Sequence, residues 1–336
     1  MSMEREMLVK EESKTNYEFG TNPYNRDIKS LLETGIVIID KPSGPTSHEV
    51  SAWVRDILRV SKAGHGGTLD PKVTGALPIA LGNSTKCVPY WHIPPKEYVC
   101  IMRLHRDMKE SKIGEKEILE LFDNFIGKMY QRPPLKASVA RKLRVRKIYE
   151  LKLIEINDEL NSVLFWVRCQ SGTYLRKLVD DFGEALGVSA HMQELRRVKS
   201  GPFFEEEAIY LQDLVDEHIY WKETGDEQYI REIIKPVEYG LQHMPKVVIK
   251  DSAVNAICHG ADLYANGITK IEKGIGPEEL VLIETLKGEA VAIGKTLANT
   301  KTILKSDEEM VIDIERVIMD KNVYPKMWKS SKKKKF

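Results

Sequence analysis

Apolar positions along this chain alternate between short unbroken runs and helical spacing. Gly35-Ile36-Val37-Ile38-Ile39-Asp40 is an apolar run of strand length, and Lys41-Pro42-Ser43-Gly44-Pro45 breaks it. Thr46 to Glu49 has the S/T-x-x-E form of a capping box. Val50, Trp53, Val54, Ile57 and Leu58 then recur at a period that predicts a helix packing one face. Tyr98 to Leu104 reads as a strand, and Ile118, Phe122, Phe125 and Ile126 suit a helix closed by Gly127. Ser162 to Cys169 is strand-like, with Val163, Phe165 and Val167 on one face. After Ser171-Gly172-Thr173, helical period returns at Leu175, Leu178, Val179 and Phe182, with Gly187 as the C-terminal stop. Strands and helices mix without strict βαβ alternation, which predicts an α+β fold on a mixed, largely antiparallel sheet.

Beyond Lys235-Pro236 the texture changes. Val247-Val248-Ile249, a short helix near Asp251 to Cys258, and runs at 280–284, 290–294 and 311–317 predict a second, small β-barrel-like domain. The first thirty residues lack periodicity and read as an arm that takes its order from another surface. The expected organisation is an arm over 1–30, a larger domain over 31–240, a small domain over 241–326 and a basic tail over 327–336, the tail reading first as a solvated end.

Composition narrows the classes. A chain of 336 residues, 42% hydrophobic and 30% charged, is ordinary for a globular protein with room for two cores. No run of about 18 apolar residues suggests a membrane span, and the charged N-terminus is unlike a secretory signal. Cys87, Cys100, Cys169 and Cys258 are far apart and form no C-x-x-C pair, which argues against a zinc ribbon or disulfide framework. A reducing, cytoplasmic setting is expected. The net charge of +1 hides one local excess. Arg132, Lys136, Arg141, Lys142, Arg144, Arg146 and Lys147 are seven basic residues in a stretch with no acid. Such a segment is either a solvated face or a contact for phosphates, and the imbalance favours the second. Arg-x-Arg spacing on a strand places Arg144 and Arg146 on one face.

The densest chemistry lies in Gly64-His65-Gly66-Gly67-Thr68-Leu69-Asp70-Pro71, continuing to Val73-Thr74-Gly75. Glycines around one carboxylate, stiffened by the following proline, can hold an aspartate at a fixed angle. The same residues could form no more than an Asp-Pro turn. No G-x-x-x-x-G-K-[ST] phosphate loop is present, and Asp70 has no partner at ligand spacing, so no metal is expected.

Five segments taken together resemble the bacterial tRNA T-loop pseudouridine synthase family. They are Gly35 to Ser47 with Lys41-Pro42, Ala63 to Pro71 with Asp70, Lys96-Glu97-Tyr98, Ser171 to Arg176, and Ala190 to Arg197 with Leu195. Gln131-Arg132-Pro133-Pro134 through Glu150, and a short stretch from Leu104 to Glu117, are most similar to the archaeal and eukaryotic dyskerin branch, the catalytic subunit of box H/ACA ribonucleoproteins. The chain lacks long lysine-rich extensions, like the archaeal members. The resemblance implies a pseudouridine synthase domain, a small PUA-type RNA-binding domain from about Pro245, and an N-terminal arm packed on the latter. It implies no cofactor. Asp70 would be the nucleophile, at the sugar C1′ or the base C6, with Arg176 as its guanidinium partner. Tyr98 would stack on the base and accept the C5 proton, or serve as a core aromatic, or both. Lys41 and Pro42 would brace the loop or act in substrate binding, His65 would support the everted nucleotide, and Leu195 would pack beneath the base. Implied partners are a guide RNA, a substrate RNA, a small zinc-ribbon subunit, the core member of the glycine-arginine-rich protein family and a kink-turn-binding ribosomal-type protein. Three functions remain open: a guide-directed synthase, a stand-alone tRNA synthase, and a catalytically silent RNA-binding scaffold. An intact Asp70, Tyr98 and Arg176 counts against the scaffold.

Overall fold

The computed structural model describes residues 5–132 and 142–327. Lys136, Arg141 and the tail from residue 328 onward lie outside the described residues. The chain divides into two compact units, one over 37–80 and 88–233, the other formed by the N-terminal 36 residues, 81–87 and the chain from Ile234.

Elements of the larger unit follow the apolar pattern. In chain order they are β1 (Gly35–Lys41), α1 (Ser47–Leu58), β2 (Thr74–Leu81), β3 (Lys96–Leu104), α2 (Glu115–Phe125), β4 (Gly127–Gln131), β5 (Arg144–Asn157), β6 (Ser162–Cys169), α3 (Leu175–Ala185), β7 (Ala190–Ser200) and α4 (Leu211–Thr224). The sheet runs β1-β2-β7-β3-β6-β5-β4. Its β2/β7 pair is parallel, and β3/β6, β3/β7, β5/β6 and β4/β5 are antiparallel. This is the mixed, mostly antiparallel sheet expected.

The capping box forms as predicted. The Thr46 hydroxyl accepts from the Glu49 amide at 3.1 Å, and the Glu49 carboxylate accepts from the Thr46 amide at 2.7 Å. Val50, Val54 and Leu58 are buried, whereas Trp53 is 44% exposed and sits outside the buried face assigned to it. The helical period placed Trp53 at the margin of the stripe, where an aromatic ring reaches solvent.

Strand β3 begins two residues earlier than predicted. Its strict alternation buries Lys96, Tyr98, Cys100, Met102 and Leu104. Tyr98, Cys100, Met102 and Leu104 join Val163, Phe165 and Val167 of β6, Ile118 and Phe122 of α2, and Leu178, Val179 and Phe182 of α3 in one core. Phe122 and Phe165 pack on Phe182 with ring centroids 5.6 and 5.8 Å away. Full burial of such rings contributes about 2–3 kcal/mol each. Helix α3 lies so close to β7 that a Cβ on Gly183 would fall 2.2 Å from the Ala190 amide nitrogen. Gly187 takes the left-handed conformation (φ 73°) directly after the helix cap.

The other unit is built on a seven-stranded sheet. Its strands β8 (Lys246–Ile249), β9 (Ile268–Glu272), β10 (Leu280–Glu284), β11 (Ala290–Thr296) and β12 (Met310–Val317), with α5 (Asp251–Cys258), match the short runs read from the sequence. Met7–Val9 adds an antiparallel edge strand to β9. The rest of the arm is held by two buried carboxylates. Asp251 accepts from the Thr15 hydroxyl and, at 2.8 Å, from the Asn16 amide. Glu289, only 2% exposed, accepts from the Thr21 amide at 3.0 Å, the Tyr324 hydroxyl at 2.7 Å and the Thr285 hydroxyl at 3.1 Å. Such charge-assisted bonds explain how an arm without apolar periodicity becomes ordered.

Candidate active site

Asp70 lies in the turn between a short strand, Ala63–His65, and β2, and the turn is fixed from below by main-chain carbonyls. The fully buried Lys41 ammonium donates to Pro42 O at 2.8 Å, Pro71 O at 3.0 Å and Val73 O at 2.9 Å. Three acceptors satisfy an ammonium, so Lys41 ties the end of β1 to Pro71 and Val73, which follow Asp70 in its turn. Burial holds its pKa below the usual lysine value; the Asp70 carboxylate works against that and the Arg197 guanidinium with it. The Ser47 hydroxyl accepts from the Leu69 amide at 2.8 Å and lies 3.1 Å from its carbonyl. The Gly44 amide donates to Pro71 O at 2.9 Å, and Val73 N to Asp70 O at 2.9 Å. Pro42 is itself exposed.

Arg176 comes from the first turn of α3, and its Nη2 meets Asp70 Oδ2 at 2.9 Å. Both side chains remain about half exposed, at 52% and 46%. The loop that delivers Arg176 is itself clamped. Gln131 exchanges two hydrogen bonds with the main chain of Tyr174, at 3.0 and 3.2 Å. Arg146 donates through Nε to Gly172 O at 2.9 Å and through Nη1 to Val145 O. Arg146 therefore spends donors on the loop behind Arg176. Arg144 shares its face of β5, half-buried; Lys147 is exposed, with its ammonium 5.2 Å from the centre of the Tyr149 ring. Arg132 and Lys142 are exposed at the ends of the described segments.

Tyr98 is 9% exposed and belongs to the core that holds Leu69 and Val73, so it is a core aromatic whatever else it does. Burial pushes its phenol up to about 12, while the Arg197 guanidinium hydrogen-bonded to it works in the other direction. Leu195 pairs across the sheet with Cys100 and packs, partly buried, on the same core. His65 has both ring nitrogens enclosed and without partners among the described residues, and its ring stands edge-on to His48 at 4.7 Å. Burial, reinforced by His48 and Arg197, lowers it to about 4, so it is neutral at physiological pH.

Two residues given no role in the sequence lie under this site. Arg197 is 1% exposed and Lys96 is 3% exposed. The Lys96 ammonium donates to Trp91 O at 2.6 Å, and burial, then Arg197, lowers it to about 7. Lys96 continues the buried alternation of β3 two residues before Tyr98, ahead of the strand start read from the sequence, while β7 does not alternate around Arg197, so local sequence carried no signal for it. A consequence is testable. The unfolded chain holds the Lys96 proton to about pH 10.4, the folded chain only to about 7. Between those values the unfolded state binds more protons, so folding stability rises with pH. We expect urea unfolding at pH 7, 8 and 9 to show up to about 1.4 kcal/mol more gain per pH unit in wild type than in Lys96→Met. Parallel profiles would show that Lys96 does not titrate there.

Family models match almost end to end. A DKCLD (NUC011) domain matches residues 1–51, the N-terminal domain of TruB family pseudouridylate synthases 55–175, the C-terminal domain of tRNA pseudouridylate synthase B 176–242, and a PUA domain 245–318. A protein of Methanococcus maripaludis named "Probable tRNA pseudouridine synthase B" is 65% identical over 98% of this chain and 96% of its own length. The protein of that name from Methanocaldococcus jannaschii is 62% identical over 97% and 95%. Among solved structures, a chain of an H/ACA RNP bound to a substrate RNA containing 2′-deoxyuridine has TM-score 0.90 and 46% identity, covering 97% of this chain and 98% of that one. A chain of a Cbf5-Nop10-Gar1 complex gives 0.90 and 47% at the same coverage. With the aspartate–arginine pair, the neighbouring tyrosine and these matches in place, the chain belongs to the TruB family of pseudouridine synthases.

Proposed function

We propose that this enzyme isomerises uridine to pseudouridine in RNA as the catalytic subunit of a box H/ACA ribonucleoprotein, placed on its targets by a guide RNA. The carrying observation is the half-exposed Asp70–Arg176 pair beside buried Tyr98, in a chain that superposes over 97% of its length on one from an H/ACA particle. Proposed partners are the guide and substrate RNAs, counterparts of Nop10 and Gar1, and a kink-turn-binding ribosomal-type protein. The setting is cytoplasmic; among the described residues no helix is long and apolar enough to cross a membrane. Domain roles follow the sequence reading: catalysis over 31–240, RNA binding by the PUA-type domain over 241–326 with the arm of 1–30 packed on it.

Asp70 attacks as a carboxylate, steered by the Arg176 fork, either at C1′, where its ester is displaced when C5 bonds to that carbon, or at C6, from which N1 expels it once C5 has bonded to C1′, so that it leaves as the carboxylate it began as. The N1–C1′ bond breaks, the base turns, and C5 bonds to C1′. The rejoined base carries a hydrogen on tetrahedral C5 and lacks one on N1. Product forms when the C5–H pair becomes the C5=C6 bond and N1 takes a proton, a 1,3-shift. The Tyr98 phenol gives its proton toward N1 and takes the one from C5, so it begins and ends as phenol. Lys41 and Pro42 hold the loop, His65 supports the everted nucleotide as a neutral ring, and Leu195 packs beneath the base. Arg132, Lys136, Arg141, Lys142, Arg144, Arg146 and Lys147 form the basic stretch for RNA phosphates, with Arg146 also bracing Gly172. No cofactor or metal enters this scheme.

Release of C5 tritium from labelled RNA tests the chemistry and separates an enzyme from a scaffold. Wild type should release it; Tyr98→Phe should bind RNA as well and release it about 100-fold more slowly or worse. Equal loss of binding and rate would make Tyr98 structural only. The curated relatives' name supports a second reading, a stand-alone tRNA synthase.

A further inference from the structure

We propose that Arg197 is a positioning residue of the reaction: its buried guanidinium locks the Tyr98 hydroxyl to both ends of the loop that carries Asp70, so that proton acceptor and nucleophile share one rigid frame. This rests on the role given to Tyr98 above.

Arg197 is an expensive residue where it lies. At 1% exposure it has no carboxylate within salt-bridge distance among the described residues, and its neighbours include the cations Lys41 and Lys96. An apolar side chain of similar volume would fill the space without the cost of burying a charge, which is several kcal/mol before compensation. The compensation is entirely main chain and phenol. Nε donates to Ala76 O at 2.8 Å and Nη2 to Gly67 O at 3.2 Å, and the guanidinium hydrogen-bonds the Tyr98 side chain. Gly67 and Ala76 are the residues on either side of the segment 68–75 with Asp70 inside it. One planar group thus spans both ends of the nucleophile's loop and the phenol, with a geometry that a point charge could not reproduce.

The backbone gives an independent sign of the same arrangement. Gly67 and Gly75 both have positive φ, 126° and 100°. A Cβ on Gly67 would lie 3.3 Å from the Arg197 guanidinium, and one on Gly75 only 2.3 Å from the Arg197 carbonyl oxygen. The loop therefore closes on Arg197 from two sides, on its head at 67 and on its main chain at 75. Gly75 pairs with Arg197 in parallel register and Tyr98 pairs with Arg197 in antiparallel register. Arg197 is thus the common neighbour, through main chain and side chain together, of the loop and of Tyr98. At the phenol, its positive charge also favours the developing phenolate when Tyr98 gives its proton toward N1 and takes the one from C5.

A brace that only stabilises the fold would lower the active fraction and leave the rate-limiting step unchanged. A positioning residue changes which step limits. The test is the single-turnover rate and the C5-deuterium isotope effect, measured on the reconstituted protein with RNA labelled at the target uridine, for wild type, Tyr98→Phe and Arg197→Lys. Lysine keeps the charge and three donors, but all three leave a single nitrogen and cannot span the separated Gly67 and Ala76 carbonyls and the phenol as the planar fork does. We expect Arg197→Lys to keep its RNA affinity within a few-fold, to lose roughly 10- to 100-fold in rate, and to show an isotope effect raised above wild type in the same direction as Tyr98→Phe. The isotope effect is a ratio and does not depend on the fraction of protein folded. Gly67→Ala, which crowds the guanidinium without removing it, should raise the isotope effect too and replaces Arg197→Lys if that variant does not fold. A raised effect in Tyr98→Phe with a wild-type value in the Arg197 and Gly67 variants would overturn the proposal and leave Tyr98's role standing. A wild-type value in all of them would remove both.

Discussion

Asp70→Asn should abolish pseudouridine formation while leaving the folded protein and its RNA binding intact. The amide has the same shape but no nucleophilic carboxylate, so we expect single-turnover rates to fall by at least about four orders of magnitude, near 5 kcal/mol or more in barrier. Stability should hardly move, and the geometry says why. The turn that carries Asp70 is held by Lys41 on Pro42, Pro71 and Val73 carbonyls, by Ser47 on the Leu69 main chain, and by Asp70's own carbonyl on Val73 N. None of these uses the carboxylate. Its one direct ion pair among the described residues, to Arg176, is about half exposed on both sides and contributes at most about 1 kcal/mol. A melting curve and RNA titration beside the rate measurement decide the matter. Wild-type-like turnover would remove Asp70 from the mechanism, and a collapsed fold would show that the turn depends on its carboxylate after all.

Much of this frame was readable from spacing. The capping box at Thr46–Glu49, the buried face of Ser162–Cys169 and the Leu175–Phe182 helix each obey one local period, so local sequence suffices. Spacing alone left Asp70 open as an Asp-Pro turn; the family resemblance of five ordered segments singled out Asp70, Tyr98 and Arg176, and the ion pair at 2.9 Å joins two of them. What was not readable depends on register between distant strands. Arg197 and Lys96 carry charges that local reading assigns to solvent, yet both point inward because Tyr98 pairs with Arg197 and Lys96 with Ser200 across β3 and β7. Arg146 was read with its neighbours as a phosphate contact, and only the return of the Gly172 loop shows that it also braces Arg176's support. For the arm, borrowed order was expected, but not the two carboxylates that hold it, Asp251 and Glu289, more than two hundred residues away. A Trp at the border of a helical stripe, such as Trp53, is the remaining ambiguity that periodicity leaves.

Guide RNA should control both rate and target. Asp70 and Arg176 present a half-exposed pair, and the stretch between Leu104 and α2 is a short turn with no inserted element among its residues. A substrate held loosely over such a site is poorly aligned, and a misplacement of about 1 Å costs on the order of a hundredfold in rate. The target uridine must also leave its stack, at about a few kcal/mol, unless RNA pairing already presents it unpaired. A guide that pairs on both sides of that uridine supplies alignment and eversion together, and delegates sequence choice to base pairing. We therefore expect the protein with matched guide and partner subunits to convert a short target RNA at least about a hundredfold faster than the protein alone. Rewriting the guide's pairing arms should move the modification to a new uridine while the Asp70-dependent chemistry stays the same. The measurement is pseudouridine formed in a guide-matched RNA and in free tRNA, each with and without guide and partners. Equal rates on both substrates, with or without guide, would assign the chain to stand-alone tRNA modification. Activity on tRNA at a lower rate than on the guided target is compatible with guidance, because an exposed catalytic pair can act on any uridine that reaches it everted.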